Sequence, residues 1–147
     1  NAIDGHYVDI VPFYNFIVSP KPIITIDDLL KNFDFTANAI GINIKTGTIY
    51  DPVNGITDIN NRVLRAVRLD FPEKPVSNDI PLSAVSVFWF RLLHFQNKLG
   101  FEFEKQTKEW VIENAYRIKD IEMFKKYFFT PNISKELNLY INKCLHQ

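Results

Sequence analysis

Cysteine is almost missing from this chain. With Cys144 alone among 147 residues, no internal disulfide can form, and a reducing compartment, the cytoplasm, is the expected setting. Charge of one sign is missing too: 17 Lys and Arg balance 17 Asp and Glu. A chain so balanced has no overall basic surface, so any nucleic-acid contact has to come from a local patch. No apolar run approaches the roughly 20 residues of a membrane span. The most apolar stretch, "AVSVFWFRLLHF", is interrupted by Arg91 and His94 and reads as a buried helix. His6, His94 and His146 lack metal-ligand spacing, and "IKTGTI" has neither the glycines nor the following helix of a phosphate loop. An initiator Met is absent, and Asn1-Ala2 reads as the remnant of a cleaved tag. The expectation is a piece of a longer protein.

What the chain does have is apolar mass. Hydrophobic residues make up 46% and aromatics 14%, thirteen of them Phe, a globular composition of one-core size. The first half reads as strands and turns. "HYVDIVPFYNFIV" suggests one long strand or two short ones, "TIDDLLKNF" a short helix capped by Thr25 or Asp27, and "TANAIGINI" and "TIYDP" the arms of a hairpin. "ITDINN" suggests a short helix and "RVLRAV" an extended segment. From Pro81 the apolar period changes from two to about 3.6. Leu82, Val85, Trp89, Leu92 and Leu99 mark a helix that Gly100 ends. Phe103 to Ile118 mark a second, Phe124 to Phe128 a third, and Leu137 to Cys144 a fourth with Ser134 as cap. Strands first and helices after is an α+β order. The boundaries are residues 1–72, a linker at 73–80 and a helical part at 81–147.

"FDFTANAIGI", residues 33–42, carries the candidate site. If it is a strand, Asp34, Thr36 and Asn38 share one face while Phe35, Ala37 and Ala39 take the other. The polar face is either a ligand wall or a strand entrance whose side chains satisfy backbone groups. Asp34 is expected to accept from backbone N–H groups, and Phe35 to enter the core beside the helix at 26–33.

The order of these pieces resembles the class II nucleotidyltransferases, the tRNA CCA-adding enzymes and bacterial poly(A) polymerases. That family has R-R-D-F-T-I-N-A, a hairpin, D-P-F-G-G, a short helix and I-R-A-V. Here stand "NFDFTANAI", "INIKTGTIYDPVNG", "ITDINN" and "RVLRAV". The family's neck helix ends in K-L-G-F before an acid-rich helix, and "FWFRLLHFQNKLGFEFEKQTKEWVIENAYRI" follows that plan. The resemblance implies the last part of a nucleotidyltransferase head followed by a helical neck. It places Asp9, in "YVDIVPFY", as a catalytic, metal-binding carboxylate, and Asp34, Thr36, Asn38 and Arg91 as substrate-binding residues. It implies Mg2+ as cofactor of the full-length parent, RNA (tRNA among the candidates) and a nucleoside triphosphate as partners, and neither DNA nor membrane. The activity implied is nucleotide transfer to an RNA 3′ end; the alternative is a degenerate, non-catalytic binding or interaction module that kept the fold.

Departures from the pattern are as specific as the matches. The family's two arginines before D-F-T are here Asn32 and Phe33, which cannot make charge-assisted bidentate contacts to phosphate. Counting back from Leu99-Gly100-Phe101, the base-reading E-D-x-x-R falls on Ala84, Val85 and Phe88. With an insertion, Asp79 matches the acid, but the arginine position becomes Ser83. The D-x-D metal pair is absent, and "IDD" at 26–28 reads as a helix cap. Arg62, Arg65 and Arg68 recur every third residue but in an extended segment face different sides. Lys125 and Lys126 beside Tyr127 and Phe128 resemble a basic-aromatic patch for nucleic acid, although Phe at helical spacing is more often core.

Overall fold

The computed structural model describes residues 2–3, 6–7 and 22–145, of which 2–3, 6–7 and 144–145 are described by backbone alone. Two short strands, β1 (Ala2–Ile3) and β2 (His6–Tyr7), pair antiparallel. The remainder of the expected first strand, Asp9 included, lies outside the described residues.

Helix α1 (Ile26–Leu30) starts at Thr25. The Thr25 hydroxyl accepts from the Asp28 N–H at 3.1 Å while the Asp28 carboxylate accepts from the Thr25 N–H at 2.9 Å. This reciprocal cap settles "IDD" as a helix start. The chain then departs from the expected strand. Thr36–Asn38 is a 3-10 turn, and strand β3 begins only at Gly41–Ile42. The reason is local: Asn38 Oδ1 reaches back to the Phe35 N–H at 3.4 Å, a side-chain bond that competes with a sheet ladder. Strand β4 (Ile49–Tyr50) closes the hairpin in the register Gly41↔Tyr50 and Ile42↔Ile49. At its turn the Asn43 side chain accepts from the Lys45 and Thr46 N–H groups, and Gly47 takes φ 71°.

Asp51 caps helix α2 (Gly55–Asn60), accepting from the N–H groups of Gly55 and Ile56 at 2.6 and 3.0 Å. Strand β5 (Val63–Leu64) follows. Its partner comes from beyond the long helix α3 (Ala84–Leu99): strand β6 (Glu102–Phe103), paired parallel as Val63↔Glu102 and Leu64↔Phe103. The periodicity gave no sign of β6, because two residues carry no period. The expected second helix is shorter than its apolar pattern, as α4 spans Lys105–Glu113 and a 3-10 segment takes over at Ala115–Asp120. Asn114 side-chain N–H donates to the Trp110 carbonyl at that break. Helices α5 (Ile121–Tyr127) and α6 (Lys135–Leu145) complete the described chain.

One core joins both halves. Trp89, Phe90, Leu92 and Leu93 of α3 pack with Val111, Phe124 and Ile141, and with Phe35 and Leu64 from the first half. The Trp89 indole N–H donates to the Val111 carbonyl at 2.9 Å, so the large ring is buried without an orphan donor. Phe35, expected beside the helix at 26–33, packs on α3, its ring centroid 5.1 Å from that of Phe95. Leu99, expected on the buried stripe, is half-exposed. Residues 73–80 fold back onto the start of α3: Ala84 N–H donates to the Lys74 carbonyl and Val76 N–H to that of Leu82, both at 3.0 Å.

Candidate functional site

The 3-10 turn sends its polar side chains in two directions. Thr36 goes inward. Its hydroxyl donates to Asp58 Oδ2 at 2.7 Å, and Arg65 Nε reaches the same oxygen at 2.9 Å. Both Thr36 and Asp58 are buried, so these charges and hydroxyls satisfy one another inside the fold, as buried polar groups must. The expected shared strand face therefore does not exist, and Thr36 is held apart from its two neighbours.

Asp34 and Asn38 go outward, where they meet α3. Asp34 Oδ1 accepts from the Asn38 side-chain amide at 2.7 Å, and Asp34 Oδ2 from Arg91 Nε at 2.5 Å. Where backbone donors were expected for Asp34, these two side chains stand. The Arg91 guanidinium carbon lies 5.3 Å from the centroid of Phe95, one turn along α3, a cation–π position. Three of the four candidate substrate residues, Asp34, Asn38 and Arg91, thus form one partly exposed cluster across the seam between turn and helix. Arg91 and Asp34 are 57 residues apart, and only the tertiary fold brings them together.

The base-reading positions lie elsewhere. Val85 and Phe88 are 4% and 2% exposed, and the Phe88 ring stacks on Phe71 with centroids 4.3 Å apart. Both are enclosed in the core, although Phe88 stands one turn before Arg91 on α3. A hydrogen-bonding pair at these positions would point into the core.

The seam is held by polar bonds as well. Ala66 N–H donates to the Thr107 hydroxyl at 3.0 Å, and Thr107 N–H to Glu104 at 3.0 Å. Arg65 approaches Glu104 at 3.6 Å. Thr36 meets Asp58 22 residues away and Ala66 meets Thr107 41 residues away, pairings that no local pattern signals, whereas Glu104 caps α4 locally through the Thr107 N–H.

Other candidate groups resolve into structural roles. His94 Nδ1 accepts from the Asn132 N–H at 3.0 Å, and its ring packs on Phe129. Burial, with Lys98 and Arg91 nearby, pushes the imidazole below its ordinary value. Lys125 pairs with Glu122 at 2.7 Å and Phe128 stacks on Phe124, which leaves Lys126 over Tyr127 as the remnant of the basic-aromatic patch. Arg68 pairs with Asp70 and reaches Asn32. The arginines at 62, 65 and 68 have separate surroundings. Asp9 and His146 lie outside the described residues, as does the side chain of Cys144. Among the described residues no group of three His, Cys, Asp or Glu side chains could hold a metal ion. No described helix is long and apolar enough to cross a membrane.

Residues 12–65 match the Poly A polymerase head domain. The chain is 42% identical over 64 residues to the Multifunctional CCA protein of Stenotrophomonas maltophilia (strain R551-3), covering 44% of this chain and 16% of that protein. It is 37% identical over 97 residues to the CCA-adding enzyme of Actinobacillus succinogenes, covering 66% of this chain and 22% of that enzyme. The match thus spans only about a fifth of the length of these relatives. Among solved structures, a tRNA nucleotidyltransferase complexed with a primer tRNA and an incoming ATP analog superposes with TM-score 0.51 at 23% identity, over 86% of this chain and 36% of that one. At that identity the likeness speaks for the fold, and it extends through both halves of the chain. The head-domain match at 12–65, and the relatives' identity reaching beyond it, make the chain similar to the class II nucleotidyltransferases over part of its length.

Proposed function

We propose that this chain is part of an RNA nucleotidyltransferase of the CCA-adding or poly(A) polymerase-like kind, and that Asp34, Asn38 and Arg91 contact the nucleotide. The parent reaction joins an RNA 3′-hydroxyl to the α-phosphate of a nucleoside triphosphate and releases pyrophosphate. The observation that carries the reading is the Asp34–Asn38–Arg91 cluster. It sits within and beside the stretch that matches the head domain, on the outer side of the seam, with a carboxylate and a guanidinium fixed relative to each other. Arg91 can turn its remaining N–H donors to phosphate or to a ribose oxygen, while Asp34 accepts from hydroxyls. Thr36 serves the site from behind, by holding the turn to Asp58.

Residues 1–72 are the head portion in this reading, 73–80 the connecting segment and 81–147 the neck. Asp9 would be the carboxylate that faces the reacting phosphate. A magnesium ion would supply charge stabilisation there when bound; the described residues offer no donor set for it. The partners follow the same reading: RNA, tRNA foremost, and a nucleoside triphosphate, in the cytoplasm.

One observation favours the rival, a non-catalytic relative. Both Asp34 oxygens already have donors within the chain, as a purely structural carboxylate would. Titration of ATP and CTP into the chain and into Arg91→Ala separates the two. The site reading expects saturable binding that Arg91→Ala weakens without an equal loss of thermal stability. Absence of binding by the unsubstituted chain, or identical binding by Arg91→Ala, overturns it.

A further inference from the structure

A cleft of about 280 Å3 lies on the neck, away from the Asp34 cluster, walled by Glu73, Ser83, Ser86, Tyr116, Arg117 and Lys119. At its edge is Arg117, whose side chain is only 5% exposed. Two hydrogen bonds and one ring contact fix the guanidinium from within. Nε donates to Asn114 Oδ1 at 3.1 Å, Nη1 donates to the Ser86 hydroxyl at 3.1 Å, and the Tyr116 ring lies 4.9 Å from the guanidinium carbon. The outer fork of Arg117 faces Glu73, with Nη1 bonded to Oε2 at 3.2 Å and Nη2 to Oε1. Glu73 itself comes from the connecting segment and is 63% exposed.

The asymmetry is chemical. A buried, oriented guanidinium fork is suited to a bidentate oxyanion, carboxylate or phosphate. Here a mobile-length side chain from an exposed segment fills that role. Beside the fork the Ser83 hydroxyl donates to that of Ser86 at 3.1 Å. The Lys119 ammonium stands 5.7 Å from the Tyr116 ring, which is half-exposed. Asp120 is the other carboxylate in the cleft, and its Oδ2 accepts from the Ser86 hydroxyl at 3.1 Å.

We propose that this cleft is a phosphate seat distinct from the nucleotide site, with the Glu73 carboxylate as its internal occupant. A phosphate group takes the Arg117 fork as Glu73 swings to solvent. Lys119 supplies a further donor, and Tyr116 offers a ring face to a base attached to that phosphate. The bond to Arg117 holds Glu73 below its ordinary carboxylate range, so at neutral pH the occupant is an anion and competes with the ligand directly.

The test is amide chemical-shift titration of the 147-residue chain with three probes: inorganic phosphate, AMP, and a short oligonucleotide that has only internal diesters. Saturable shifts at Ser83, Ser86 and residues 116–120 in the millimolar range are expected for at least one probe. The probe that saturates identifies whether a free phosphate, a nucleotide monophosphate or an RNA backbone is the source. Glu73→Gln keeps the shape and removes the competing charge. It should tighten binding about fivefold, the factor expected from losing one partly exposed ion pair, and Lys119→Glu should weaken it. No saturable shift in either the unsubstituted chain or Glu73→Gln overturns the proposal. So does unchanged affinity in Glu73→Gln, which would make Glu73–Arg117 a latch for the connecting segment and nothing more.

Discussion

Phe35 and Asp34 are adjacent in the chain and separate scaffold from site. Phe35 is buried against Phe95 and the α3 core, so Phe35→Ala should cost about 3–5 kcal/mol of stability, the usual range for a deleted buried aromatic. Asp34→Asn keeps the volume and removes only charge from a partly exposed pair. Its expected loss is about 1–3 kcal/mol, as for hydrogen bonds to charged groups, together with weakened nucleotide binding. Urea melts of both variants, set beside an ATP titration, check the pair. If Asp34→Asn melts as early as Phe35→Ala while nucleotide affinity is unchanged, Asp34 belongs to the scaffold. Val85 gives the complementary case. Because it is enclosed, Val85→Asp should destabilise by several kcal/mol, about 4 or more, as an unpaired buried charge does. Restoring the family's acid at this position would then unfold the chain before it could change base preference. A native-like melting temperature for Val85→Asp would show that the helix can rotate or shift.

Between elements, contacts are close enough for one methyl to matter. A Cβ on Gly55, at the start of α2, would stand 2.1 Å from the Thr36 carbonyl oxygen and 3.0 Å from Ile40. Gly55→Ala should therefore push α2 off the 3-10 turn and cost about 1–3 kcal/mol, visible as an earlier thermal transition. The packing of α3 against the segment after α5 makes a pH-dependent contact. His94 must be neutral at Nδ1 to accept from Asn132, and burial lowers its folded-state value below the unfolded 6.5. In the window between the lowered value and 6.5 the unfolded chain binds more protons. Stability from this contact is present above pH 6.5 and is lost as pH falls through that window. The protection factor of the Asn132 amide, corrected for the intrinsic pH dependence of exchange, should fall on acidification from pH 7.5 to 5.5, and His94→Gln should flatten that dependence. An equal fall in both proteins would place the titrating group elsewhere.

At the scale of the whole molecule, residues from before and after the 73–80 segment share one core and one parallel strand pair. We expect the described chain to unfold in a single transition, with fluorescence of Trp89 and Trp110 coinciding with far-ultraviolet circular dichroism. Two separated transitions would mean that the seam contributes little. The same 147 residues should not extend an RNA primer with magnesium or manganese, since the sequence holds no D-x-D pair. Steady primer extension that Asp9→Ala abolishes would reverse that expectation.

The α+β order and the helix limits that rest on local chemistry are legible in the chain's residues alone. Thr25 with Asp28, Asn43 with Gly47, and Gly100 at φ 63° act within a few residues of themselves, and the switch of apolar period at Pro81 needs no partner to be read. The Asp34–Arg91 pair, the burial of Thr36 on Asp58, the two-residue strand at Glu102–Phe103 and the Arg117 fork were decided only by tertiary structure. Each joins groups that lie 22 to 57 residues apart or on opposite sides of the connecting segment. Periodicity reports which face of an element is apolar; it carries no information on which distant polar group that element will meet. "FDFTANAIGI" shows the limit most plainly. Its alternation is that of a strand, yet Asn38 bonding back to Phe35 bends it into a 3-10 turn, and that bend sends Thr36 inward and turns Asp34 toward Arg91.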